Sequence, residues 1–142
     1  MFIGGGMTIL SRKRLMVISE GLLDISSGSA SGNAAYFIPW TLVGYRLTEK
    51  IGGDTVYFPY LPLNKAGRIQ HVIERAKLEY DFKHMKVGGG YGAYQFGDGP
   101  WQNKPFVTTT LKGGRVGDLE VWLQKMPESH FQVQLRYTKV FP

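Results

Sequence analysis

Phe131 to Phe141 alternates without a break. Phe131, Val133, Leu135, Tyr137, Lys139 and Phe141 fall on one face, and Gln132, Gln134, Arg136, Thr138 and Val140 on the other. A strict period of two over this length excludes a helix and demands one buried face and one wet face. Leu119 to Met126 alternates in the same way, and Met126 to His130 supplies the turn, so the chain closes on a long hairpin. An edge strand of this kind invites pairing with another chain.

The rest of the chain reads mostly as strand and turn. Thr8 to Leu10, Leu15 to Ile18 and Leu22 to Ile25 are short apolar runs, and Phe106 to Leu111 is rich in β-branched residues. Tyr36 to Leu47 reads as a strand interrupted at Pro39, because proline cannot donate to a ladder. Gly52-Gly53-Asp54 is a hairpin-turn signal, with Thr55 to Tyr60 as the return strand. Gly97-Asp98-Gly99-Pro100 and Lys112-Gly113-Gly114-Arg115 mark further turns. Ser26 to Asn33 reads as an exposed loop, and Met1 to Gly6 as a flexible leader.

One stretch breaks the pattern. In Asn64 to Lys86, the residues Ala66, Ile69, Val72, Ile73, Ala76 and Tyr80 recur at spacings of three and four. That predicts an amphipathic helix over about 64–84, capped by Asn64, with Arg68, His71, Arg75 and Glu79 as a polar ridge. The expected fold is a single α+β domain. It is dominated by a curved antiparallel sheet or partly open barrel, with that one helix against it.

The 142 residues carry 17 Lys and Arg against 11 Asp and Glu. Residues 64–112 hold eight of the basic and four of the acidic residues, so most of the excess lies on the expected helix and the Gly-rich stretch after it. A concentrated positive region attracts polyanions. Val87 to Trp101 interleaves glycines with Tyr91, Tyr94, Phe96 and Trp101. Aromatic faces beside cations suit single-stranded nucleic acid, where rings stack on bases and cations track phosphates. Arg68, Arg75, Lys83, Lys86 and Lys104 would neutralise phosphates, and Tyr91, Tyr94 and Trp101 would stack. The expectation is a non-catalytic binder of single-stranded DNA or RNA, and a homo-oligomer.

Two alternatives stand beside it. One is a structural subunit of a larger or virus-like assembly, joined through its sheet edges. The other is a small metal-independent nuclease using His71 or His130. His71, His84 and His130 have no metal-ligand spacing, and neither a dinucleotide fingerprint nor a Walker loop is present, so no metal or cofactor is expected. Asp118 and Glu120 share a strand face without a partner motif. With no cysteine, disulfides and thiolate sites are excluded. No apolar run approaches the roughly 20 residues of a helical membrane span, and the first ten residues do not resemble a signal peptide. These features give an expected cytoplasmic or virion-associated protein with no membrane partner.

Overall fold

In a computed structural model, which describes residues 2–29 and 32–139, the chain forms one antiparallel sheet of nine strands in sequence order. The strands are β1 (Phe2–Arg12), β2 (Leu15–Ser29), β3 (Gly32–Arg46), β4 (Ile51–Pro62), β5 (Gln70–Asp81), β6 (Met85–Phe96), β7 (Gln102–Lys112), β8 (Asp118–Lys125) and β9 (Phe131–Thr138). A single 3-10 turn, Gly114–Val116, lies between β7 and β8. Each strand pairs only with its neighbours in the sequence, so β1 and β9 are the two edges and run in the same direction.

No α-helix occurs among the described residues, which overturns the helix expected over 64–84. The fold is all β rather than α+β. The reason is a β-bulge in β5. Val56 pairs with Arg75 but Tyr57 pairs with Ile73, so Glu74 is one residue too many for β4. On the other side Ile73 pairs with Ala93 and Ala76 with Tyr91, so Glu74 and Arg75 together oppose Gly92. A bulge resets the alternation by one residue. Ile69 and Ile73 precede it and Ala76 and Tyr80 follow it, giving spacings of four, three and four. That series is also what one face of a helix produces. Asn64 does cap a short structure, but a turn: its side-chain oxygen accepts from the Ala66 N–H at 3.3 Å and the Ala35 N–H at 3.4 Å.

Smaller differences have equally local causes. The segment expected as a leader is strand from Phe2 on, paired with β2; Met1 lies outside the described residues. The loop expected over Ser26 to Asn33 shortens, since β2 runs to Ser29 and β3 starts at Gly32. Pro39 does not end its strand. The β3–β4 ladder instead has no pairs between Phe37↔Leu61 and Thr41↔Tyr57, an interval that holds both Pro39 and Pro59, each without an N–H to give. Gly52 and Gly53 lie inside β4, and the turn before it is Leu47 to Lys50. The last hairpin is as expected through Thr138, and 140–142 lie outside the described residues.

The register gives the sheet two faces. Even-numbered residues of β2–β4 and β6–β9 share one face with Arg75, Lys77, Glu79 and Asp81 of β5, and the odd-numbered residues share the other. The sheet curls toward the first face, so that Arg136 Nη2 on β9 comes within 3.7 Å of Glu74 Oε1 on β5. Near the β4–β5 connection this inner face holds a small apolar core. Ala34, Tyr36 and Ile38 are buried there, with Leu22, Phe58, Tyr60 and Ala66 packed against them.

Candidate functional site

The centre of the inner face is made of charge. Lys77 Nζ reaches Glu120 Oε1 at 2.6 Å, Glu79 Oε2 at 3.2 Å and Asp54 Oδ2 at 3.6 Å, so one ammonium joins β4, β5 and β8. Arg75 pairs with Asp54 through Nε and donates from Nη1 to Glu74 Oε1 at 2.5 Å. Thr108 donates to Glu120 at 3.2 Å and Thr110 to Glu79 at 3.4 Å. Arg75 and Lys77 also lie 6.0 and 5.9 Å from the Trp122 ring, which stacks on Phe106 at 4.3 Å. Burial of ions is tolerated when each is paired, and this network gives each buried ion an opposite charge.

Glycines make the reach possible. Gly88, Gly90 and Gly92 of β6 lie on the inner face between β5 and β7, opposite Glu79, Lys77 and the bulge. A Cβ at Gly90 would collide with Ala76 O and sit 2.6 Å from Phe106 Cζ, and one at Gly88 would collide with Leu78 O. The trough they leave is crossed by the β5 side chains. The run VGGGYG, which resembles no phosphate loop, is therefore a clearance for ion pairs.

The outer face is the opposite in character. Charged residues of β2 to β9 fall inward: Glu20 and Asp24, Arg46, Asp54, Glu74 to Asp81, Lys86, Lys104 and Lys112, Asp118 and Glu120, and Arg136. On those strands Lys125, the last residue of β8, is the one Asp, Glu, Lys or Arg that faces out. The outer face carries Leu23, Val43, Leu78, Val107, Leu123, Val133 and Leu135 instead. Burial is inverted accordingly. Lys77 is 6% exposed and its neighbour Leu78 is 46% exposed; Glu120 is 7% exposed and Leu135 is 71% exposed. Of the outer aromatics, Tyr45, Tyr80 and Tyr137 lie toward the β1–β2 turn end, Phe37 and Phe131 lie toward the other, and Tyr57 and Tyr91 lie at mid-strand.

The residues expected to bind nucleic acid are distributed over this frame. Tyr94 and Lys104 meet on the inner face, with Lys104 Nζ 4.5 Å from the ring centroid. Trp101 lies in the β6–β7 turn, 6.2 Å from the His71 ring. Tyr91 is on the outer face and donates to Asn103. Arg75 is buried in the ion-pair network. Arg68 lies in the β4–β5 connection, at the opposite end of the strands from Lys83 in the β5–β6 turn and from Lys86. Only Tyr94 and Lys104 are brought into contact. His71 shares a hydrogen bond with Tyr57 OH at 2.8 Å, whereas His130 sits in the β8–β9 turn near Glu128. The described residues hold no group of His, Asp and Glu able to bind a metal.

The inner network is hidden from sequence reasoning because its members come from four strands. The signal that could have found it is the alternation in β5, β8 and β9, where charge is gathered on one face; among the described residues no element covers the other. No protein-family model, curated protein or solved structure matches the chain.

Proposed function

We propose that this sheet is the wall of a membrane-spanning β-barrel, with its odd-numbered face against lipid. One observation carries the reading: charge is segregated to the inner face, while the outer face is mostly apolar, with Thr41, Thr55, His71, Asn103 and Thr109 among its residues, and no described element covers it. Water-soluble antiparallel sheets bury the apolar face and wet the polar one. Barrels in a bilayer do the reverse, with apolar residues outward, a polar interior and aromatic girdles at both interfaces. Eight strands at about 4.8 Å spacing give an apolar face roughly 35 Å wide, well beyond the patches of a few hundred Å² that soluble monomers expose.

Most strand lengths agree, while β8 and β9 have only 8 residues each. β4 to β7 have 11 or 12 residues. At a tilt of about 45°, strands of this length cross the roughly 30 Å hydrocarbon layer. No helix among the described residues is long and apolar enough to cross a membrane, a fact that bears on helices alone. The expectation of a cytoplasmic or virion-associated protein without a membrane partner gives way, in this reading, to a lipid-embedded one. The unpaired edges of β1 and β9 must then be met by further strands, from this chain or from another copy, because open ladders are not tolerated in hydrocarbon. The expected homo-oligomer is one such closure. The nucleic-acid reading keeps a single local support, the contact of Lys104 with Tyr94.

The absence of cysteine makes the test direct, since single cysteines can be introduced without background. Labels at Leu123→Cys and Leu135→Cys, refolded into phosphatidylcholine vesicles, should be quenched by lipids brominated in their acyl chains. Labels at Gln124→Cys and Gln134→Cys should not. Equal quenching on both faces, or a protein that stays in the aqueous fraction on vesicle flotation, would overturn the proposal.

A further inference from the structure

The two ends of the sheet differ in charge. The connections β1–β2, β3–β4, β5–β6 and β7–β8 share one end and carry Lys13, Arg14, Lys50, Lys83 and Arg115 against Glu49 alone. At the other end, the connections after β4, β6 and β8 carry Lys65 and Arg68 against Asp98 and Glu128. None of the five cations at the basic end forms an ion pair among the described residues. Arg12 adds a sixth at the end of β1, likewise without an ion pair among them. The adjacent turns are tied together, since the Arg46 N–H donates to Arg14 O at 3.0 Å and Lys112 Nζ donates to Phe82 O at 2.8 Å. Tyr80 and Phe82 lie at the same end with ring centroids 4.7 Å apart, and Lys50 Nζ is 6.0 Å from the Tyr80 ring.

We infer that this basic rim docks on the anionic phosphates of a lipid surface. The inference rests on the membrane reading and names which end of the wall meets negative lipid headgroups. Aromatic side chains at headgroup level with unpaired cations just beyond them are the pattern of a membrane interface. Cations held on tied turns without an ion pair are available to an anion without first giving up a carboxylate. The other rim, with Lys125 at the end of β8 counted in the same way, has three cations against two carboxylates and so a surplus of one.

The test compares flotation of the full chain with phosphatidylcholine vesicles and with vesicles that also contain phosphatidylglycerol. Each cation near an anionic surface strengthens binding about fivefold at moderate salt. The wild type should gain on adding phosphatidylglycerol, and Arg12→Gln/Lys13→Gln/Arg14→Gln should lose on the order of a hundredfold of that gain. Lys65→Gln/Arg68→Gln, at the opposite rim, should retain it. High salt should erase the difference between wild type and triple variant. No gain with phosphatidylglycerol, or an equal loss in both variants, would overturn the inference. Tighter binding of the rim to a single-stranded oligonucleotide than to the anionic vesicles would overturn it in favour of nucleic acid. Failure to enter phosphatidylcholine vesicles would sink the membrane reading by itself. The dependence on phosphatidylglycerol is a difference between two vesicle types and is scored separately.

Discussion

Lys77 and Glu120 meet at 2.6 Å although two whole strands, β6 and β7, lie between theirs. The contact requires a sheet curled toward its charged face and a clear path across β6. It also makes Lys77 the hub of three carboxylates, since Glu79 and Asp54 share its ammonium.

Removing the hub should cost more than removing one spoke. Lys77→Met leaves Glu79, Glu120 and Asp54 clustered around an apolar side chain, and an uncompensated buried charge costs about 3–5 kcal/mol. Glu120→Gln leaves Lys77 with two carboxylates and retains an acceptor for Thr108. Urea unfolding in detergent micelles should rank wild type above Glu120→Gln and Glu120→Gln above Lys77→Met. Equal midpoints for all three would mean that the network does not hold the curl.

Gly90 separates clearance from flexibility. A Cβ there collides with Ala76 O and meets Phe106 Cζ at 2.6 Å, so backbone and a buried ring must both move. Gly90→Val should destabilise by about 3 kcal/mol or more, at the upper end of overpacking costs. Gly5, on the outer face of β1, is open: a Cβ added there would have nothing within 4 Å. Gly5→Ala should therefore be neutral or stabilising by about 0.5 kcal/mol, through a less flexible unfolded chain. Thermal unfolding followed by circular dichroism checks the pair.

Much of this architecture is legible in the residues, and the failures have a common origin. The hairpin and its turn at Met126 to His130 are found as β8 and β9, but β9 ends at Thr138 and is exposed on both faces, so the buried face expected of its alternation is absent. A curved antiparallel sheet follows from the many short-turn signals. What misleads is Glu74: one inserted residue converts two phases of a strand into the spacing of a helix. The site is less legible still. Arg75 and Lys104 look like free cations in the sequence, yet one is buried against Asp54 and the other lies on the Tyr94 ring. Alternation says that a strand has two faces. It does not say which of them points to solvent, and an apolar face turned to lipid gives the same pattern as one turned to a core.

Deleting Glu74 tests the bulge. Without it, Ile73 still pairs with Tyr57 and Ala93, and Arg75 follows opposite Val56 and Gly92, so both ladders become regular with no slip of register. His71 and Ile73 stay outward and Val72 inward; what is lost is the local bend and the carboxylate that Arg75 and Arg136 share. The deletion should therefore fold into vesicles with the wild-type pairing and a modest loss of stability. Glu74→Gln removes only the charge, so any larger loss in the deletion measures what the bend adds. Failure of the deletion to fold, with Glu74→Gln folding normally, would show that the bend itself holds the sheet.

Val107 decides between a bilayer and water as the solvent of the outer face. It lies at the middle of β7, paired with Leu123 on one side and Gly89 on the other, and it is 60% exposed. In a water-soluble sheet an exposed Val→Arg change shifts stability by no more than about 0.5 kcal/mol. On the lipid face of a barrel, arginine near the bilayer midplane costs about 2–4 kcal/mol, and the cost falls toward the interfaces. Val107→Arg and Tyr137→Arg should therefore differ in vesicles, the first losing most of that energy and the second little, because Tyr137 is the next-to-last residue of β9, far from mid-strand. Lys125→Leu, which removes the one outward charge on β2 to β9, should be neutral or stabilising in lipid. Denaturant titrations of the three variants in phosphatidylcholine vesicles give the comparison. A flat response along the strand would assign the outer face to water or to a protein partner, and the apolar surface would then need a different occupant.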